Sequence, residues 1–430
     1  MKHETYERRL KSGARLIVVN VPGSPIFELE TIVESGHRFA KAGQYELPHL
    51  LEHLALEGSE LFPDPQDFQY EIERFGIYHN AWTSVYKNGY VFYGAMEYLN
   101  RITELGMEQL LHPIFRSEAI EQQLEVVINE LTGRMNDARS KAGYRMYQLQ
   151  KNGQIPDWEQ RIETLKTINR TDIVAFYKKY YLPANFTHFI TGDLPTERVE
   201  QLVKILQGSQ EHFGTSKPVS NQAILPQKPE QSVVLVSYPF EETVSFSFSI
   251  VRPGYDDKKF IPMQLFASML GGGFYSRLHQ KVRKAGLSYS MGSGFQSGAE
   301  KGGLSIWDEP RAQHFIPLLK LALGEVMDLA RGNFSDQELD RARGYELGRH
   351  ATRFQTALSI TNWYANSYLD GLPLVTPEEE AETLRATTRA EIVEAAQYYL
   401  AADNPYRYLV AATQHGGQDE LKKIIADFGA

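Results

Sequence analysis

Two stretches of this chain, about half its length apart, carry the same signals in the same order. Residues 163–182 read Glu-Thr-Leu-Lys-Thr-Ile-Asn-Arg-Thr-Asp-Ile-Val-Ala-Phe-Tyr-Lys-Lys-Tyr-Tyr-Leu, and residues 382–400 read Glu-Thr-Leu-Arg-Ala-Thr-Thr-Arg-Ala-Glu-Ile-Val-Glu-Ala-Ala-Gln-Tyr-Tyr-Leu. Arg170 falls on Arg389 at an offset of 219, and Tyr180-Tyr181-Leu182 falls on Tyr398-Tyr399-Leu400 after a one-residue slip. Each stretch leads into an apolar strand, Phe186–Thr191 and Tyr406–Ala412. Two unrelated amphipathic helices would explain the helical parts alone. The shared order of cap, helix and strand points to duplication instead. Two copies of one module need two cores, so domains are expected at 1–207 and 232–430. Between them, residues 208–231 hold Gly208, Gly214, Pro218, Pro226 and Pro229 without helical or alternating period, which reads as a linker.

Within the first copy, strands are expected at Leu16–Val21, Phe27–Ser35, Ile77–Ser84 and Tyr90–Ala95, the last two around a turn at Lys87-Asn88-Gly89. Helices are expected around Pro48, over Asp67–Phe75 with a stop at Gly76, at about 97–112, and from Ser117 past Met135 to about 150. The second copy offers strands at Val233–Tyr238 and Thr243–Val251, then a helix to Leu270. Strands and helices mix without regular strand–helix–strand alternation. That predicts an α+β fold, each domain a largely antiparallel sheet packed with helices.

The chemistry concentrates at His49-Leu50-Leu51-Glu52-His53. On a helix, residues three and four apart share a face, so His49 and His53 point the same way with Glu52 beside them. Two imidazoles one turn apart can grip a metal ion. A hydrolytic zinc site takes three protein ligands and keeps a fourth position for water. Glu52, set between the histidines, suits the base that takes the water's proton. This is the inverted zinc-peptidase pattern H-x-x-E-H. The chain has no cysteine, so a zinc site here must use histidine and carboxylate. The alternative is an amphipathic helix that merely carries two histidines, and a third ligand has to decide.

Glu130 is the candidate, at an offset of 77 from His53, in Glu125-Val126-Val127-Ile128-Asn129-Glu130-Leu131. Val126, Val127, Glu130 and Leu131 share one helical stripe. A carboxylate on an apolar stripe is costly unless paired or bound to metal; otherwise it marks the stripe's wet edge. His79 reads as structural, and His37, His112 and His188 show no ligand spacing.

Together these pieces resemble the pitrilysin/insulinase type of zinc peptidase, which includes the mitochondrial processing peptidase. That family pairs H-x-x-E-H with a glutamate at a similar offset, in a V-V-x-x-E context. Further matches are Gly76, Asn80-Ala81, Thr83, Pro113, Phe115, and Gly286-Leu287 with Tyr289-Ser290. The resemblance implies one zinc ion per chain on His49, His53 and Glu130, with Glu52 as catalytic base. It implies that a peptide adds in extended form beside Asn80 and Ala81, a mode in which backbone hydrogen bonds bind any sequence. Arg283 and Tyr289 would face that peptide, Tyr289 stabilising the oxyanion. Family members commonly have seven residues from that arginine to the tyrosine; here there are six. Family members also often carry a second glutamate seven residues before the ligand, and here that position is Gln123.

By the same resemblance, catalysis occurs inside a closed chamber of four such domains. A two-domain chain then implies a homodimer or a related partner subunit. The expected activity is a zinc metalloendopeptidase or oligopeptidase. The other classes are a non-catalytic chamber-forming subunit and a scaffold with structural zinc; the latter normally needs four protein ligands. A net charge of −9 argues against a general nucleic-acid binder. No run of about 18 apolar residues is present, so no membrane span is expected, and a start without a signal-peptide core makes the cytoplasm the expected location. The run Gly271-Gly272-Gly273 lacks the Lys-Ser/Thr of a phosphate loop and reads as a break between helices. The offset of 219 carries His49–His53 onto Ser268–Gly272, which offers no ligand, so only the first domain should hold metal.

Overall fold

The computed structural model describes residues 1–151, 154–213, 217–219, 224–237, 242–289, 291–413 and 417–428. Tyr238, Ser290 and parts of the 208–231 segment lie outside the described residues. The chain forms two compact units. One comprises Met1–Thr132, Pro156–Gln222 and Phe354–Leu369; the other comprises Gly133–Ile155, Ala223–Arg353 and Asp370–Ala430.

The first unit is built on six strands: β1 (Glu4–Arg9), β2 (Arg15–Asn20), β3 (Ile26–Val33), β4 (Tyr78–Thr83), β5 (Asn88–Ala95) and β6 (Phe186–Gly192), in the order β1-β2-β6-β3-β5-β4. Among the described residues only β2 and β6 pair parallel there; the rest is antiparallel. The second unit has β7 (Val233–Val236), β8 (Ser245–Pro253), β9 (Gly292–Ser297), β10 (Lys301–Asp308) and β11 (Arg407–Ala412), in the order β7-β11-β8-β10-β9. Its parallel pair, again single among the described residues, is β7 with β11. Set β1 aside, and the two sheets have the same strand order and the same single parallel pair. The fold is α+β, as the sequence leads one to expect, and the duplication is visible in topology.

Strand β1 carries no sequence signal. Glu4-Thr5-Tyr6-Glu7-Arg8-Arg9 does not alternate, because almost all of it is exposed on a sheet edge, where charge discourages further pairing. The helix expected to run from 117 to about 150 is two helices, Ser117–Met135 and Ala138–Gln150. Asp137 breaks them: its backbone is extended and its carboxylate caps the second helix at the Ser140 amide, 2.7 Å away. That second helix sets Ala142 and Met146 against Val234, Val251, Tyr408 and Val410, so residues 133–155 pack in the second unit. Conversely, helix Ala357–Leu369 lays Ala357, Ile360, Tyr364 and Ala365 on Ile17, Val19, Ile32 and Phe189 of the first.

On the opposite face of the first sheet, helix Leu99–Leu111 covers Leu29 and Phe92. Its Gly106 comes so near that a Cβ would lie 3.1 Å from the Phe92 ring. Helix Pro65–Arg74 ends at Gly76, whose φ of 59° only glycine adopts cheaply. The chain then enters β4, which among the described residues pairs only with β5 and leaves its outer edge open.

Candidate metal and active site

The H-x-x-E-H segment is the helix Leu47–Ala55, with Pro48 in its first turn, where the missing N–H is not needed. Eight of its nine residues are buried, so the motif is embedded in the core layer. The His49 and His53 rings meet edge to face with centroids 5.0 Å apart. Ligating atoms of His49, Glu52 and His53 all lie within 4.8 Å of one another.

Glu130 comes to the same place from helix Ser117–Met135. Its carboxylate oxygens lie 3.6 Å from His49 Nε2 and 3.8 Å from His53 Nε2. Of the expected stripe, Val127 and Leu131 are fully buried, but Val126 is 40% exposed. The reason is geometric. At 3.6 residues per turn, Val126 stands about 40° further round the helix from Glu130, away from Val127. Glu130 therefore occupies the margin of the stripe, half in solvent, with the histidines in front of it. Position at a wet edge and proximity to the histidines both hold.

Each histidine is oriented through its Nδ1. Nδ1 of His49 donates to Glu46 Oε2 at 3.0 Å, and Nδ1 of His53 donates to Gln123 Oε1 at 3.0 Å. Both Nε2 atoms are thereby left facing Glu130, each as a lone pair in the neutral ring. Glu46 is fully buried, and Arg161 of helix Trp158–Leu165 donates to its other oxygen. Burial alone would raise the Glu46 carboxyl. The hydrogen bond to His49 and the charges of His37 and Arg161 outweigh burial and hold it well below the usual carboxylate range. Gln123 in turn donates its amide to Glu57 Oε1 at 2.8 Å. Gln123 and Glu130 are seven residues apart, so they share one helix face.

Glu52 accepts from Thr83 Oγ1 at 2.8 Å. Asn88, buried at the start of β5, donates to Thr83 Oγ1 and to the Pro48 carbonyl, both at 2.9 Å. The β4–β5 hairpin thus fixes the motif helix and its central carboxylate together. Beside Glu52, the phenols of Tyr90 and Tyr181 bond to each other at 2.7 Å. Burial pushes both phenols up, with the Glu52 charge adding to it.

Asn80 and Ala81 lie on β4, at the open edge of the sheet. His79 is not part of the cluster: it pairs with Gln69 at 3.1 Å and sits against Phe68 and Phe92. His37 stacks on Tyr45 at 4.4 Å, and burial takes it down to about 4. His188 is buried between Thr31 and Gln210. Arg283 and Tyr289 belong to the second unit, where the guanidinium lies over the phenol ring at 4.9 Å and Tyr289 is 71% exposed. Sequence reasoning missed Glu46, Glu57, Asn88 and Arg161. Glu46, three residues before His49 on the same helical face, could have been found. Arg161 could not, because it reaches Glu46 only through the fold, from a distant helix.

Residues 15–156 match the model of the insulinase family of peptidases (peptidase family M16), and residues 167–344 match that of the peptidase M16 inactive domain. The chain belongs to the insulinase-type peptidase family. Its relatives include an uncharacterized zinc protease of Rickettsia bellii, 24% identical over 92% of this chain and 95% of its own length. Among solved structures, a peptidase M16 inactive domain from Pseudomonas fluorescens superposes with a TM-score of 0.82 at 19% identity, covering 97% of this chain and 99% of that one. The periplasmic protease PqqL of Escherichia coli gives 0.76 at 17% identity over 99% of this chain and 51% of PqqL. This insulinase-type chain therefore matches half of one relative and nearly the full length of the others. Among its described residues, no helix is long and apolar enough to cross a membrane.

The donor set fits zinc. Two imidazoles turn their Nε2 atoms to one place and a half-exposed carboxylate faces both, the nitrogen–oxygen combination zinc takes in hydrolytic sites.

Proposed function

We propose that this chain is a zinc-dependent peptidase acting on peptides bound in extended form along β4. The observation that carries the reading is the approach of Glu130, from a separate and distant helix, to both Nε2 atoms of a motif whose histidines are already oriented. His49, His53 and Glu130 would hold the ion. Zinc bound there would supply an acidified water and polarise the scissile carbonyl.

The protein's own groups do the rest. Glu52, held by Thr83, takes a proton from the attacking water and returns it to the leaving amine. The open edge of β4 offers backbone donors and acceptors to the peptide. Arg283 and Tyr289 are assigned to the peptide backbone and the developing oxyanion, within a chamber completed by a second copy of the chain. Digestion of a peptide library with zinc-loaded protein, read by mass spectrometry, tests this. Wild type should cleave, and Glu52→Gln should bind zinc without cleaving. Zinc binding with no cleavage by wild type would leave the chain a non-catalytic chamber subunit.

A further inference from the structure

His49 is held by Glu46 and His53 by Gln123, and a charged residue stands directly behind each holder: Arg161 behind Glu46, Glu57 behind Gln123. We propose that Glu57 and Arg161 are positioning residues: Glu57 sets which ring nitrogen His53 offers by fixing which end of the Gln123 amide faces it, and Arg161 holds Glu46 against His49 and demands an oxygen from whatever residue stands at position 46. This rests on reading His49 and His53 as the zinc pair.

Consider His53 first. The Gln123 amide has one accepting and one donating end. Glu57 Oε1 accepts at 2.8 Å, so the amide nitrogen must face Glu57 and the oxygen must face His53. An oxygen there requires Nδ1–H on His53, which leaves Nε2 as the lone pair. Turned round, the amide would donate to Nδ1 and place the proton on Nε2, where it blocks ligation.

On the other side, Glu46 has two accepting ends, so the tautomer of His49 is secure. A fully buried carboxylate is costly, however, and a buried ion pair is often no more stable than apolar residues of the same size. Its retention here has a use. Arg161, 6% exposed at its side chain, takes Oε1 and holds Oε2 toward Nδ1. The guanidinium also lies 5.2 Å over the Tyr45 ring, which stacks on His37. Tyr45 thus lies between the guanidinium and His37 and backs the clamp on that side. Arg161 has donors only, so any residue at position 46 must present an oxygen to it.

That gives a test with an unusual sign. In Glu46→Gln, Arg161 captures the amide oxygen, and the amide nitrogen is forced on His49 Nδ1. The ring then turns to its Nε2–H form and is lost as a ligand. Zinc affinity, measured by chelator competition, should fall roughly 100-fold, the upper end for a supporting residue. Adding Arg161→Leu releases the amide to turn its oxygen to His49, so Glu46→Gln/Arg161→Leu should bind zinc at least about tenfold more tightly than Glu46→Gln alone. Glu57→Gln removes the demand on Gln123 and should weaken binding severalfold.

Long-range proton–nitrogen NMR on histidine-labelled, metal-free protein reads the tautomers directly. It should show His49 switched in Glu46→Gln and restored in the double variant, and it requires no zinc. Glu46→Gln with the wild-type tautomer, or a double variant no tighter than the single, overturns the proposal. Should wild type bind no zinc while the tautomers switch as described, the reading of the pair as a metal site fails and the positioning proposal stands. Thermal melts of every variant separate these outcomes from unfolding.

Discussion

Glu28 and Glu30 lie on the β3 face covered by helix Ala357–Leu369, and both are almost fully buried. Thr361 bonds to Glu28, and Trp82 bonds to Glu30. One oxygen of each carboxyl has no hydrogen-bond partner among the described residues. Burial, the largest influence, pushes Glu28 up to about 8 and Glu30 up to about 7 from an ordinary value of 4.5. In the folded chain at neutral pH, Glu28 is therefore protonated, whereas in the unfolded chain it is ionised. The folded state binds the extra proton, so stability falls as pH rises from about 4.5 and levels off above about 8. A shift of that size in Glu28 corresponds to about 5 kcal/mol across the window, with a smaller share from Glu30. For a unit of this size the Glu28 share alone is a loss of roughly 10–20 °C in melting temperature. Melts followed by circular dichroism at pH 5, 7 and 9 provide the assay, with Glu28→Gln/Glu30→Gln as comparison. The variant keeps neutral, similarly shaped groups and should show a much flatter alkaline limb than wild type. Parallel pH curves for the two proteins would refute the reasoning, because the titrating groups would then lie elsewhere.

Three further outcomes are expected. Glu130→Gln removes the anionic ligand and should strip zinc under chelator challenge more readily than any of the supporting-residue variants; unchanged occupancy by metal analysis would mean another third ligand. Thr83→Val deletes a hydrogen bond to a charged acceptor worth about 1.5–3 kcal/mol, so turnover should drop about 10–100-fold at unchanged zinc affinity, and a fall in metal content instead would move Thr83 from the base to the metal. Tyr289→Phe should lose roughly 10²–10³-fold if the phenol serves the oxyanion. Mixed with Glu52→Gln it should regain part of wild-type activity through exchanged dimers, and no recovery on mixing would place both groups in the same subunit's site.

Much of this site was legible before the fold, and the reason lies in helical spacing. His49, Glu52 and His53 are neighbours on one turn, so their convergence is a local property. Glu130 needed the apolar run around it, and that run was only partly right: Val126 turns to solvent. The supporting groups were hidden because hydrogen-bond partners across the fold leave no period in the sequence. Arg161 on its helix looks like any surface arginine until Glu46 is found beneath it. The exchanged helices were hidden for a related reason. Asn136-Asp137 reads as a weak interruption of a long helix, and only the apolar face of Ala138–Gln150 reveals that the chain has moved onto the other core.

The second copy holds different residues at the same positions. The starts of helices Ser117–Met135 and Asp336–Arg353 differ by the same offset of 219 that separates the starts of Arg170–Tyr180 and Arg389–Leu400. At that displacement Gln123 corresponds to Ala342 and Glu130 to Arg349, while the motif falls on Ser268–Gly272. A cation, Arg349, stands where the first copy has the carboxylate of Glu130, so the second cannot assemble the same donor set. Its motif equivalent has been given another task. Arg341 donates to the carbonyls of Ser268 and Gly272, both at 2.9 Å, satisfying the end of helix Asp257–Gly271. In the first copy the corresponding pair of helices joins through side chains around a would-be ion; in the second it joins through an arginine and backbone oxygens. The contact between those two helices is what the duplicated fold keeps. The four side chains His49, Glu52, His53 and Glu130 have Ser268, Gly271, Gly272 and Arg349 as their counterparts, while strand order and pairing are the same in both copies apart from β1.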